Sequence, residues 1–299
     1  MNILVTGAWK CTEEYLNKIK ELGNEVFFLQ NEKDPLPCES KIIEGVICNN
    51  LFAFHKIEEF TSLKYIQLTS AGLDRVPLDY IKEKNIKIYN AGGVYSIPMA
   101  EFAIGGILQI YKQASFFMKN KENKIWEKNR KLLELYGKNV CIVGSGNIGT
   151  ECAKRLNAFG ANVIGVDLFP REDENYKHIY HINDLKNVLE NIDIVILTLP
   201  LTNDTYHLFD DEMFNCLKDG ALLVNISRGK VVDEEALIKA LDNKLMGAVI
   251  DVFEEEPLNA NSALWNKENI IITPHNSFIG DGNNKRLSDL ILKNICGNK

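Results

Sequence analysis

The chain predicts an α/β protein of two doubly wound parallel-sheet domains, a flavodoxin-like substrate domain and a Rossmann domain for a dinucleotide. Three observations lead there. Short apolar runs alternate with amphipathic ones along most of the 299 residues, the pattern of parallel strands covered by helices. The glycine fingerprint G-x-G-x-x-G stands mid-chain at Gly144, Gly146 and Gly149. The strand after it ends in an acid, Asp167.

Each part of the fingerprint has a physical reason. Val140–Val143 is apolar without interruption, as a strand buried on both faces must be. Gly144 allows the tight turn off that strand, Gly146 admits a pyrophosphate to the backbone, and Gly149 lets helix and strand pack closely. The amphipathic run Thr150–Phe159 then offers free N–H groups and a positive dipole end. Asp167 falls eighteen residues past Gly149, close to the spacing of about 20 for a carboxylate that meets the ribose hydroxyls. Its charge would repel a 2′-phosphate, which favours NAD over NADP, while Arg171 lies near enough to soften that preference.

Composition narrows the partners. A net charge of −7, with no concentration of Lys and Arg, argues against a nucleic-acid surface. No apolar run approaches the ~20 residues of a membrane span. The chain starts directly on a strand without a secretory signal's regions, and its seven scattered cysteines show no C-x-x-C spacing. A reducing, cytoplasmic setting is expected, with no metal framework; His178 and His181 are three apart but lack ligand spacing.

In order, strands are expected at Asn2–Thr6, Glu25–Leu29, Gly45–Cys48, Lys64–Thr69 and Ile86–Tyr89, with a helix near Thr12–Leu22. The loop Ser70-Ala-Gly-Leu-Asp74 follows a strand's carboxyl end, where open sheets bind ligands. Its small residues suit an anion or a simple turn equally. Pro98–Met118 reads as one long helix, spanning ~30 Å. Lys119–Arg130 reads as a polar surface arm carrying Trp126. Strands at 140–143, 162–166, 192–199, 221–226, 247–251 and 270–273 then alternate with helices at 150–159, 183–190, 210–217 and 233–242. Leu287–Ile295 forms a last helix that returns to the first domain. The expected division is residues 1–95 with 276–299 against residues 96–275.

Three ionisable residues follow strands of the second domain: Arg228 after Ala221–Val224, an acid of Glu254-Glu-Glu-Pro257 after 247–251, and His275 after 270–273. Each alone has a plain structural role: a cap or ion pair for Arg228, a solvated acid for Glu256, a turn histidine for His275. Together, behind a dinucleotide fingerprint, they suit reduction of a 2-oxo acid. An Arg can hold carboxylate and carbonyl bidentately, a His can give the carbonyl oxygen its proton, and a Glu beside the imidazole favours its charged form and orients it.

From about Asn2 to Ile295 the chain resembles the D-isomer-specific 2-hydroxyacid dehydrogenases. The matching elements are the Ser70–Asp74 loop, Asn90 to Glu101, the glycine fingerprint with Asp167, Leu199-Pro-Leu-Thr202 with Thr205, Asn225–Gly229 with Asp233, Asp251-Val-Phe-Glu, Glu256-Pro257 and Thr273-Pro-His275. The resemblance implies catalytic roles for Arg228, Glu256 and His275, and it selects Glu256 by the proline that follows. It implies cofactor contacts at Asn147, Ile148, Asp167, Leu199, Ile226, Ser227, Arg228 and Asp251, and substrate carboxylate contacts at the backbone of Ala71 and Gly72. It also implies an active site between the domains and a homodimer formed through the cofactor domain. Glu256 argues against the formate dehydrogenase branch, which has glutamine there. Asn276-Ser277-Phe278 is bulkier than the small residues common after the histidine, so pocket shape near the nicotinamide is left open. Glyoxylate, hydroxypyruvate, 3-phosphoglycerate and a lactate-like acid all stay open as substrates. The alternative is an NAD(H)-sensing binding protein with weak catalysis; the intact Arg, Glu and His disfavour it.

Overall fold

The computed structural model describes residues 1–73 and 75–297, so Asp74 of the loop motif, Asn298 and Lys299 lie outside the described residues. The chain divides into two compact units, Met1–Tyr95 with Gly280–Lys299 and Ser96–Ile279.

In the first unit, β1 (Asn2–Thr6), α1 (Glu13–Glu21), β2 (Glu25–Leu29), β3 (Gly45–Cys48), β4 (Tyr65–Leu68), α2 (Leu78–Glu83) and β5 (Lys87–Tyr89) succeed one another. The five strands are parallel in the order β2-β1-β3-β4-β5, the flavodoxin-like order. β3 and β4 are buried along their whole length, which is why their runs are almost wholly apolar rather than alternating; the exception, Gln67, donates its amide to the Leu68 carbonyl at 2.9 Å.

The second unit begins with α3 (Ser96–Tyr111) and α4 (Ala114–Glu122). The single long helix expected over Pro98–Met118 is broken: Gln113 takes left-handed backbone angles, φ 54° and ψ 45°. Leu133 N–H donates to the Tyr111 carbonyl at 3.0 Å and Lys112 Nζ to the Leu133 carbonyl at 2.7 Å, so later chain satisfies the end of α3. Apolar residues continue through the break, and periodicity alone could not show it. α3 packs closely because Gly106 has no side chain; a Cβ there would lie 2.7 Å from Val249.

The rest is β6 (Asn139–Val143), α5 (Asn147–Ala158), β7 (Asn162–Asp167), β8 (Ile179–His181), α6 (Leu185–Leu189), β9 (Ile194–Leu197), α7 (Asp211–Cys216), β10 (Ala221–Asn225), α8 (Glu234–Asn243), β11 (Leu245–Ile250) and β12 (Ile270–Ile272). β8, three residues long, was not expected; its Ile-Tyr-His carries no periodic signal and pairs only along β7. The strand order is β12-β11-β10-β9-β6-β7-β8. The winding reverses between β6 and β9, and the carboxyl ends there form the switch point where such sheets bind ligands.

The last helix, α9 (Asn283–Cys296), belongs to the first unit, as its apolar face demands. Leu287, Ile291 and Ile295 join Ile3, Val5 and Ile19 in one core, and Trp9 Nε1 donates to Ser288 Oγ at 2.9 Å.

Candidate active site

The glycine loop follows β6. Gly144 has φ 99°, and a Cβ there would meet Leu199 N at 2.9 Å, so the turn and the chain after β9 approach through glycine alone. A Cβ on Gly149 would come within 2.2 Å of the Gly144 carbonyl oxygen, whereas one on Gly146 meets nothing within 4 Å. Gly146 therefore leaves room beside the backbone. α5 starts at Asn147, three residues earlier than the periodicity suggests, and Thr150 N–H donates to the Gly146 carbonyl at 2.9 Å. Asn147 and Ile148 thus sit in the first turn, whose N–H groups point out of the helix start. Open backbone and a helix N-terminus of twelve residues fit a dinucleotide pyrophosphate.

Asp167 ends β7 beside this loop. Its Oδ2 accepts from Ser145 N at 2.7 Å and Ser145 Oγ at 2.9 Å, and its Oδ1 accepts from Phe169 N at 3.0 Å. Burial opposes ionisation, but these hydrogen bonds and the Arg171 charge outweigh it and hold the carboxyl below its usual range. Arg171 donates to Ser145 Oγ at 3.2 Å and to the Ser145 carbonyl. The middle residue of the glycine motif is therefore a junction between an acid and a base, a role that its place between two glycines does not advertise. On the other side, Thr198 Oγ1 donates to the Gly144 carbonyl at 2.5 Å, and Thr205 Oγ1 donates to the Pro200 carbonyl at 2.7 Å. Leu199 lies between, buried.

A second cluster forms where β10, β11 and β12, neighbours in the sheet, end level: Asn225 pairs with Ile250 and Ile250 with Ile272. After β10, Ile226 and Ser227 are buried. Asn225 Oδ1 accepts from Ser227 N at 3.0 Å and Ser227 Oγ at 2.7 Å, and Asn225 Nδ2 donates to the Arg228 carbonyl at 3.2 Å. The turn is held by the side chain of its own first residue. Arg228 is half-buried, and Nη1 donates to the Ser227 carbonyl at 2.8 Å. Among the described residues its guanidinium forms no ion pair.

Asp251, fully buried after β11, organises the turn after β12. Its Oδ1 accepts from Thr273 Oγ1 at 2.6 Å and Asn276 N at 2.7 Å, and its Oδ2 from Ser277 N at 2.9 Å. His275 N donates to the Asp251 carbonyl at 2.8 Å. His275 itself has φ 50°, uncommon for a residue with a Cβ and found where surroundings over-determine it. Its Nδ1 lies 2.8 Å from Glu256 Oε2. An ionised carboxylate only accepts, so Nδ1 carries the hydrogen and Nε2 is the nitrogen free for exchange. Glu256 Oε1 in turn accepts from Phe253 N at 3.1 Å. The Phe278 ring stands edge-on to the imidazole, centroids 5.9 Å apart.

Gly229 ties Arg228 to this cluster. A Cβ on Gly229 would lie 1.8 Å from the Phe253 carbonyl oxygen and 2.5 Å from Glu254 N. The chain after Arg228 thus touches the loop carrying Glu256, a close approach that the Arg-Gly pair alone did not reveal. In the first unit, by itself, Asn90 Nδ2 donates to the Ala71 carbonyl at 2.6 Å and Ala91 N to the Ser70 carbonyl at 2.8 Å. These bonds hold the loop through its carbonyls. Among the described residues, the N–H groups of Ala71 and Gly72 make no hydrogen bond within the protein.

Comparison with known proteins now decides the family. Residues 104–277 match the model of the D-isomer specific 2-hydroxyacid dehydrogenase NAD binding domain. The chain belongs to that family. It is 35% identical over 241 residues to a glyoxylate reductase of Thermofilum pendens, covering 78% of this chain and 71% of the relative. It is 37% identical over 224 residues to a hydroxypyruvate reductase of Thermotoga maritima, covering 73% and 72%. Among solved structures, a D-lactate dehydrogenase of Aquifex aeolicus complexed with NAD and lactic acid superposes with a TM-score of 0.78 at 27% identity, over 99% of this chain and 95% of that one. This 2-hydroxyacid dehydrogenase is an NAD-dependent oxidoreductase whose second unit contains the NAD-binding domain.

Proposed function

We propose that the chain reduces a small 2-oxo acid to its D-2-hydroxy acid, with His275 and Glu256 as the acid–base pair and Arg228 holding the substrate. The observation that carries this reading is the 2.8 Å contact between His275 Nδ1 and Glu256 Oε2 at strand ends beside Arg228. When bound, the reduced dinucleotide supplies the hydride for the carbonyl carbon. His275 gives the proton on Nε2 to the carbonyl oxygen and is left neutral; Glu256 holds the ring through Nδ1. Arg228, half-buried and without an acidic partner among the described residues, has its charge available for the carboxylate and the polarised carbonyl. The first unit is the substrate domain in this reading, and the open N–H groups of Ala71 and Gly72 suit a carboxylate.

Glycine loop, α5 start and Asp167 hold the cofactor, with Asn147, Ile148, Leu199, Ile226, Ser227 and Asp251 around it. Asp167 keeps unshared electron pairs for the ribose hydroxyls, which favours NAD. The named relatives point to glyoxylate and hydroxypyruvate as first candidates. Following NADH oxidation against glyoxylate, hydroxypyruvate, phosphohydroxypyruvate and pyruvate tests the reading; no turnover with any of them overturns it.

A homodimer and a cytoplasmic setting belong to the same proposal. Trp126 is 100% exposed, with Met118, Ile125 and Phe117 exposed nearby in sequence, apolar surface that a second copy would cover. Light scattering that finds a monomer at micromolar concentration excludes the dimer. All seven cysteines are free, as suits a reducing compartment. Among the described residues no helix is long and apolar enough to cross a membrane.

A further inference from the structure

Two acids face each other next to the proposed acid–base pair. Glu254 N donates to Glu234 Oε1 at 2.7 Å, and Glu234 N donates to Glu254 Oε1 at 3.0 Å. Each carboxylate therefore accepts from the other's backbone. Like charges at this range repel, so the arrangement needs a compensating field, and the start of α8 supplies one. Glu234 is the first residue of α8, whose N-terminus favours negative charge, and His207 Nε2 lies 3.2 Å from Glu254 Oε1. Asp233 Oδ1 caps the same helix by accepting from Ala236 N at 3.0 Å, and Asp233 Oδ2 lies 3.7 Å from His207 Nδ1. Burial raises the Glu234 carboxyl above its usual range; the hydrogen bond from Glu254 N opposes that, and the charges of Glu254 and Glu255 add to it.

The clasp sits on the segment that bears Glu256. Phe253 N anchors Glu256 Oε1 at 3.1 Å while Oε2 meets His275 at 2.8 Å. Gly229 touches the Phe253–Glu254 peptide from one side, and Glu234 grips the N–H of that same peptide, so the peptide is fixed twice. We propose that Glu234 is a positioning residue for the His275–Glu256 pair: with Glu254 it clasps the segment 253–256 to the start of α8 and so sets where the Glu256 carboxylate stands. This inference rests on the acid–base reading above. Freed of the clasp, the segment drifts, and a misplacement of about 1 Å at a catalytic group costs on the order of 100-fold in rate.

The test compares Glu234→Ala, Glu234→Gln, Glu256→Gln and the double variant Glu234→Ala/Glu256→Gln. Each is assayed for NADH-dependent reduction of the best oxo acid, for NADH affinity by fluorescence and for thermal unfolding. Glu234→Ala should lower kcat about 10- to 100-fold with NADH affinity unchanged. Glu234→Gln keeps the acceptor oxygen and should restore most of the rate, a rescue that a purely electrostatic role would not give. The double variant should be no slower than Glu256→Gln, because both changes disable one unit. Full activity in a folded Glu234→Ala overturns the clasp, as does Glu234→Gln being as slow as Glu234→Ala, or losses that simply multiply in the double variant. If Glu256→Gln itself keeps the wild-type rate, the acid–base reading falls and takes the clasp with it; a slow Glu256→Gln beside a normal Glu234→Ala condemns the clasp alone.

Discussion

Gly229→Ala is the sharpest single perturbation of the second cluster. The added methyl would lie 1.8 Å from the Phe253 carbonyl oxygen and 1.9 Å from its carbon. A carbon meets a carbonyl oxygen comfortably at about 3.3 Å, so one backbone must retreat by roughly 1.5 Å. Neither side is a flexible side chain that could swing away. Gly229 follows β10 through a turn held by Asn225, and Phe253 follows β11 in register with it. Retreat of the 253–254 peptide strains the Glu254–Glu234 bond of 2.7 Å and the Phe253–Glu256 bond of 3.1 Å. Overpacking of this kind costs about 1–3 kcal/mol or more, a fall of roughly 2–12 °C in unfolding temperature for a domain of this size. Displacing Glu256 by more than 1 Å should lower kcat for oxo-acid reduction at least about 100-fold. Steady-state kinetics beside thermal unfolding read both numbers, with Gly105→Ala as control. A Cβ at Gly105, inside α3, meets nothing within 4 Å, so that change should be neutral or stabilise by up to about 1 kcal/mol. A Gly229→Ala protein with kcat within threefold of wild type and an unchanged unfolding temperature would refute the reasoning.

Other expectations follow from the same geometry. His275→Ala should cut turnover about 10²–10⁴-fold while NADH binding, measured by fluorescence titration, stays near wild type; near-normal reduction would remove His275 from its role. Asp167→Ser removes the charge beside Ser145 and leaves Arg171 to meet a 2′-phosphate, so the ratio of NADPH to NADH efficiency should rise, and an unchanged ratio would show that Asp167 does not select the cofactor. Asp193 is held below its usual range: burial opposes ionisation, but the hydrogen bonds from Lys218 Nζ at 2.7 Å and Asn139 N at 2.9 Å outweigh it. A depressed folded value stabilises above the ordinary carboxylate range, and that contribution is lost as pH falls through the folded value. Asp193→Asn should therefore lower stability at neutral pH and flatten its acid dependence, read from denaturant unfolding at several pH values.

The glycine turn and helix start proposed to hold the dinucleotide are legible in the sequence because their requirements are local. A buried strand, three spaced glycines, a helix start and an acid at the next strand's end are consecutive, and each meets a constraint acting within about 20 residues. Most strand runs of both sheets were legible for a similar reason: strands covered on both faces are largely apolar. Arg228, Glu256 and His275 could be placed at strand ends by counting, but only their number and order came from the chain, together with the family resemblance.

What the chain could not show depends on atoms far apart in sequence. The break at Gln113 arises because Leu133, twenty residues on, caps α3; the local apolar pattern runs straight through it. Ser145 joins Asp167 and Arg171, and Asp251 pins the turn of His275, through hydrogen bonds that span 22 to 26 residues. Gly229 and Glu234 reach the Glu256 loop because β10 and β11 are neighbours in the sheet, a pairing that hydrophobic periodicity does not encode. Local sequence determined most of the strand and helix segments and the glycine turn, since backbone hydrogen bonding and burial act over one element. Tertiary packing alone decided which polar side chains meet, since a carboxylate's position to within an ångström depends on every strand that holds it.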